Sequence, residues 1–258
     1  MSQRVTEADL LARIGPGERI EALEQMTEEY RQSLVHLMTM QADSELAGGY
    51  GYVPWIMKAP GVEEKHVVAQ IVKDELRHAA VMYGLLADLG VDVDAHVQAH
   101  DEAFAMRIDA SADIGTARVG PDKRVNIFYY PIDTLADFIF FNFCMDRGAG
   151  HQGHLQGRDV PHPYGEFWVA KLAGDPATRA EAQATLNKWF IRTMNIFGRP
   201  GSPKNALYRK YRLKIRDNDE ARQTFAAEVT EKARAVGLGV PEWIPAWDRL
   251  PEEAQIPG

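Results

Sequence analysis

The chain has 258 residues, 45% hydrophobic and 26% charged, enough to bury a full core without disulfides. Lys and Arg total 29 against 37 Asp and Glu, and the resulting charge of −8 repels a phosphate backbone, which argues against a nucleic-acid partner. A single cysteine, Cys144, cannot form an internal disulfide, the start MSQRVTEADLL lacks the basic-then-apolar pattern of a secretory signal, and the run from Ile132 to Met145 is short and carries Asp133 and Asp137; a cytoplasmic protein without membrane spans is expected.

In chain order, Leu23, Met26, Tyr30, Leu34, Leu37, Met38 and Met40 recur at close to helical spacing and predict a helix from Ile20 to Leu46, with GGYGYVP as its stop. Val67, Val68, Ile71, Val72, Leu76, Ala79 and Met82 predict a second long helix over Val62 to Leu89, ended by Gly90. A shorter helix follows from Val93 to Ala110, and ADIGTARVGPDKR reads as an exposed loop. IDTLADFIFFNFCMD is apolar on nearly every side and belongs in a core. The Gly- and Pro-rich stretch RGAGHQGHLQGRDVPHPYG after it disfavours a continuous helix. Helices resume over Glu166 to Ala173, Pro176 to Phe197 and Asp217 to Gly237, with GRPGSPKN irregular and strand signals nearly absent.

Chemistry concentrates at three residues. Carboxylate-bridged di-metal bundles take one Glu from each of two helices and a Glu-x-x-His pair from each of the other two. Residues three apart share a helix face, so such a pair can ligate ions together. Glu75 and His78 have that spacing within the second helix, and Glu45 lies near the end of the first. The bland alternative pairs Glu75 with Arg77 or a lysine on a solvated face; against it, Ile71, Val72, Ala79 and Met82 turn the same region inward, where a carboxylate needs a partner. The expected fold class is all-α, a ferritin-like helical bundle with additional C-terminal helices, in one domain over 1–258: a first ligand half at 20–92, a second at 131–198, and C-terminal helices at 203–240.

Several blocks carry a resemblance as well: the SE containing Glu45, W-I-x-x-A-P from Trp55 to Pro60, KDELRH ending at His78, YYPIDTLADF, the MD ending at Asp146, NKWFIRTMNIFG, and SPKNALYRKYRLKIRDNDEARQTFAAEV. In this order, over residues 28–242, they resemble the catalytic subunit family of bacterial phenylacetyl-CoA 1,2-epoxidase, ring-epoxidising di-iron proteins of multicomponent oxygenases. The resemblance implies Glu45, Glu75, His78 and Asp146 as metal ligands, and two irons per chain. The family expects a second Glu-x-x-His further along, which this sequence does not supply. Asp159 and His162 have the right spacing close behind Asp146, and His151 and His154 are further possibilities in the same shortened stretch.

The activity implied is insertion of one O₂-derived oxygen into the aromatic ring of an aryl-CoA thioester. The implied partners are a related non-catalytic helical subunit together with an iron-sulfur flavoprotein reductase, since one cysteine and no flavin motif leave this chain without its own electron carrier. Two alternatives remain: a scaffold subunit with a degraded metal site, and a di-metal oxidase or ferroxidase. Phe138, Phe140, Phe141 and Phe143 read as core packing, Cys144 as a small buried hydrophobe, and the bases from Lys204 to Lys214 as a surface helix. No nucleophile elbow, phosphate loop or dinucleotide fingerprint is present.

Overall fold

A computed structural model describes residues 5–105, 132–151, 162–197 and 201–240. Its helices are α1 (Glu7–Ile14), α2 (Glu28–Lys58), α3 (Val62–Asp88), α4 (Val93–Ala105), α5 (Leu135–His151), α6 (His162–Gly174), α7 (Arg179–Met194), α8 (Pro203–Lys210) and α9 (Asn218–Ala235), with short 3-10 turns at Leu23–Gln25 and Asn195–Phe197. No strand occurs among the described residues, in keeping with the all-α, ferritin-like reading. None of these helices is long and apolar enough to cross a membrane. The chain divides into two compact units, Met1–Ala112 with Ala206–Leu213, and Asp113–Asn205 with Lys214–Gly258.

The first unit is built on the hairpin of α2 and α3. Thr27 caps α2, its hydroxyl accepting from the Tyr30 amide at 3.3 Å, and Glu28 and Glu29 complement the positive end of the helix. The expected stop at GGYGYVP does not occur: α2 continues through it to Lys58, with Pro54 inside. Packing explains the difference. Gly48 and Gly49 are buried, and a Cβ on Gly49 would lie 2.8 Å from Leu76 Cδ2, so glycine here lets α3 approach closely. Tyr52 and Trp55 carry the buried face past Pro54, and their burial outweighs the one backbone hydrogen bond that proline removes.

The turn between the two helices is closed by Lys65. Its ammonium donates to the carbonyls of Met57 and Ala59, both at 2.7 Å, and of Ile56 at 3.3 Å, satisfying orphan acceptors at the end of α2. At the far end, α3 terminates at Gly90, φ +84°, where the Val91 amide donates to Leu86 and the Gly90 amide to Ala87. Only glycine adopts that left-handed turn cheaply, and Val91 packs back on Leu86. Arg31 near the start of α2 donates to the Leu89 carbonyl at 3.0 Å, which makes the pairing antiparallel along its whole length.

The sequence reading assigned no element before Ile20, yet α1 forms there. Thr6 and Asp9 make a reciprocal capping box, and Leu10 and Ile14 are buried against Tyr30 and Tyr211. The Ala206–Leu213 stretch, which carries most of α8, is tied to this corner. The Tyr211 hydroxyl donates to Glu29 at 2.5 Å, and the Lys210 ammonium lies 2.6 Å from Glu7.

The second unit gathers α5, α6, α7 and α9. Phe138, Ile139, Phe140, Phe141, Phe143 and Cys144 are all buried, as expected of a helix apolar on every side. Phe141 meets Trp189 edge to face at 5.1 Å, and Phe190 stacks on Phe225 at 5.7 Å. These rings form the core. The start of α5 is a second capping box: the Asp137 amide donates to Thr134 Oγ1 at 3.0 Å and the Thr134 amide to Asp137 Oδ2 at 3.3 Å. The remaining oxygen of Asp137 accepts from the Trp189 indole at 2.9 Å and pairs with Lys188.

Burial raises the Asp137 carboxyl, but the Lys188 ammonium, the Trp189 N–H and the Thr134 amide more than offset it and hold the group below the ordinary range. α5 extends to His151, further into the glycine-rich stretch than expected, and α6 starts at His162 rather than Glu166, with Pro163 in its first turn, where no N–H is needed. The loop ADIGTARVGPDKR lies outside the described residues.

Candidate metal centre

Glu45 projects from the middle of α2, and Glu75 and His78 from the facing turn of α3. One ligand atom from each lies within 4.8 Å of the others. The spacing rule places Glu75 and His78 on one face, and the antiparallel pairing of α2 with α3 brings Glu45 opposite them. All three are partly buried; the side chains of Glu45 and His78 are 11% and 18% exposed. His78 Nδ1 stands 3.3 Å from Glu45 Oε2, while Nε2 lies 3.3 Å from the Arg77 guanidinium, which also sits 3.6 Å from Asp74. The three side chains are thus partly withdrawn from solvent rather than on a fully exposed face.

Does this set fit a metal ion? Two carboxylates and an imidazole form the donor set that iron, manganese and zinc accept. His78 Nδ1 is buried yet makes no hydrogen bond of acceptable geometry, despite its closeness to Glu45. A buried, unused ring nitrogen facing carboxylates is costly unless something occupies the space between them. The three donor atoms all lie within 4.8 Å of one another, a grouping that could hold a metal ion. The residues fit.

A second polar cluster on the same hairpin escaped sequence inspection. Asp43, two residues before Glu45, is buried, and its Oδ1 accepts from the Tyr83 hydroxyl on α3 and from His96 Nε2 on α4, each at 2.8 Å. The signal available was weak. An Asp following Ala42 on an amphipathic helix looks like any solvated acid, and only the later positions of Tyr83 and His96 give it partners.

The remaining ligand candidates belong to the second half of the chain. Asp146 and His151 lie on the backbone of α5, and His162 is the first residue of α6. The side chains of these three, and Asp159 and His154 altogether, lie outside the described residues. The aromatic and cysteine readings agree with the packing, whereas the expected surface helix from Lys204 to Lys214 ends at Lys210 and Lys214 beyond it is half-buried. Phe138, Phe140, Phe141 and Phe143 are core residues, and Cys144 is fully buried. In the basic segment Lys210 is held by Glu7 and Glu29. Lys214 donates to Asn218 at 2.7 Å; burial and the Arg222 guanidinium push its ammonium down to about 8 against the pull of Asp217.

A component of the 1,2-phenylacetyl-CoA epoxidase of Escherichia coli (strain K12) is 24% identical over 250 residues, spanning 89% of this chain and 75% of that protein. The profile of the family described as phenylacetic acid catabolic protein matches residues 1–109 and 162–249. Glu45, Glu75, His78 and His162 fall inside the matched stretches, and Asp146 and Asp159 between them. With most of its length matched, and with two glutamates and a histidine converging on one hairpin, the chain belongs to the phenylacetic acid catabolic protein family.

Proposed function

We propose that this chain is the oxygenase component of a cytoplasmic di-iron system that inserts one O₂-derived oxygen into the aromatic ring of an aryl-CoA thioester. The observation that carries the reading is the convergence of Glu45, Glu75 and His78 around a buried, unused ring nitrogen. Asp146 and the pair Asp159 and His162 are the ligands proposed from the second half, in one domain with the first. When bound, reduced iron supplies O₂ activation.

The chain's own residues do the rest. Glu45 and Glu75 would hold the metal and offset its cationic charge. His78, whose ring lies between Glu45 and Arg77, would supply the nitrogen donor. Ala42 and Ala79, buried on the same hairpin, limit the access of bulk water to the reacting centre. A reductase with iron-sulfur and flavin groups supplies electrons, and a related non-catalytic helical subunit completes the assembly.

The decisive experiment measures metal and product together. The purified chain is expected to hold about two irons, and, with its helical partner, a reductase and phenylacetyl-CoA, to yield a ring-oxygenated CoA thioester. A folded chain that binds no iron sinks the reading. One observation favours a different outcome: the matched stretches skip residues 110–161, where Asp146 and Asp159 lie. A scaffold subunit with a degraded centre is therefore the second reading, and iron content near zero together with retained binding to the helical partner identifies it.

A further inference from the structure

We propose that Asp43, Tyr83 and His96 form a positioning knot that sets the register of α2 against α3, and thereby the distance of Glu45 from Glu75 and His78. This rests on the metal reading above. The knot is specific in its geometry. One carboxylate oxygen, Asp43 Oδ1, receives both the Tyr83 hydroxyl and His96 Nε2 at 2.8 Å, so a single atom joins three helices of the first unit.

Its surroundings make the bond directional in effect. Ala42, Ala79, Tyr83 and Leu86 form a buried cluster with Val35, Met38, Leu46, Met82, Val93 and Val97 packed against it. Apolar contacts of this kind are non-directional, and two antiparallel helices joined only by them tolerate small axial slips. A buried carboxylate does not: one slip strips it of its donors and leaves a desolvated charge unpaired. A polar lock in an apolar seam is an established way to specify helix register.

The lock also lies where register matters most. Asp43 precedes Glu45 by two residues, about 3 Å along α2, and Tyr83 follows His78 by five, about 7.5 Å along α3. Slack at the knot is therefore transmitted to the donor atoms with little intervening chain. Ligand distances in metal sites fall within about 0.2 Å of standard values, so affinity is sensitive to where the donors stand. His96 adds the third tether, anchoring α4 to the same oxygen, while its ring packs 6.3 Å from Tyr83. The three lie outside the donor group itself and act through Glu45 and His78.

The test uses the full chain, with Co²⁺ as the probe, in the variants Asp43→Ala and Tyr83→Phe and in Lys65→Met as a control. Lys65 secures the hairpin turn, so its loss weakens the same unit at a site remote from the ligands. Unfolding in urea reports stability, and Co²⁺ titration with its visible absorption band reports affinity and ligand geometry. Asp43→Ala and Tyr83→Phe are expected to bind Co²⁺ about tenfold more weakly and with a changed band, whereas Lys65→Met binds as the wild type does despite its lower stability. Tyr83→Phe removes one hydroxyl and reports even if Asp43→Ala does not fold. Affinity that tracks stability across all three variants, or variants that bind as the wild type does, overturns the positioning role alone. A folded wild type that takes up no Co²⁺ overturns the metal reading and this proposal with it.

Discussion

Replacing Glu75 by Gln should make the metal-free protein more stable and the metal-loaded protein less so. The sign follows from the cluster. With no cation between them, carboxylate oxygens of Glu45 and Glu75 lie within 4.8 Å of each other at partly buried positions. Two unit charges at that separation repel by about 1 kcal/mol in water and about 3.5 kcal/mol at an effective dielectric of about 20. His78 beside Glu45 relieves part of this, and exposure screens more, so a gain of about 1 kcal/mol is expected for Glu75→Gln in chelator. The gain should reverse with metal: at a hundredfold excess over Kd, the wild type gains about 2.7 kcal/mol from ligand linkage, and the variant, short of one ligand, gains far less. Urea unfolding followed by circular dichroism, in EDTA and with added Fe²⁺ under anaerobic conditions, measures both arms. A variant destabilised by 1 kcal/mol or more in EDTA, or one stabilised by Fe²⁺ as much as the wild type, refutes the reasoning, because either result makes Glu75 a structural partner rather than a ligand.

Other expectations follow from the same structure. Lys65→Met should cost about 1 to 2 kcal/mol by stripping three carbonyls at the end of α2 of their donor, as read by the urea midpoint. Gly49→Ala alone should be neutral to destabilising by up to about 2 kcal/mol, because its Cβ meets Leu76, and with Leu76→Ala it should recover the roughly 1 kcal/mol helix preference of alanine over glycine; additive effects in that double-mutant cycle would count against the close approach. Asp137→Ala should cost about 2 to 3 kcal/mol at neutral pH, since it leaves the Trp189 N–H and Lys188 unpaired. The folded Asp137 carboxyl is held low, so its contribution is complete above the unfolded value of about 3.9 and is lost as pH falls through that value toward the folded one. The gap between wild type and variant should thus be constant from pH 7 to about 5 and close below about 4; a gap that widens on acidification contradicts this.

Legibility differed among elements for physical reasons. α3 could be read to within a residue because its apolar positions repeat at three and four and Gly90 supplies the left-handed turn that ends it. Glu75 and His78 were visible for the same reason, since their shared face depends only on helical period. The extension of α2 through GGYGYVP was not visible, because glycine and proline oppose a helix locally while the close approach of Leu76 depends on a residue 27 positions away. α1 was overlooked because eight residues offer too little periodicity; its stability comes from a cap and from Tyr30 and Tyr211, distant in sequence. Asp43 was illegible as part of a site, because its meaning lies wholly in partners on two other helices. The ligands proposed from the second half rest on resemblance, since no helical period in the glycine- and proline-rich stretch singles out Asp146 or Asp159.

The hairpin of α2 and α3 has a bearing on how the protein comes into being. All three donors at the candidate centre belong to two consecutive helices joined by the residues Ala59–Gly61. Their encounter requires closure of a short loop, which is entropically inexpensive and fast, and no contribution from residues still unsynthesised. A nascent chain long enough to expose α3 beyond the ribosome thus already carries all three donors of the candidate centre, and metal capture at that stage would reward correct pairing before the aromatic core of α5 exists.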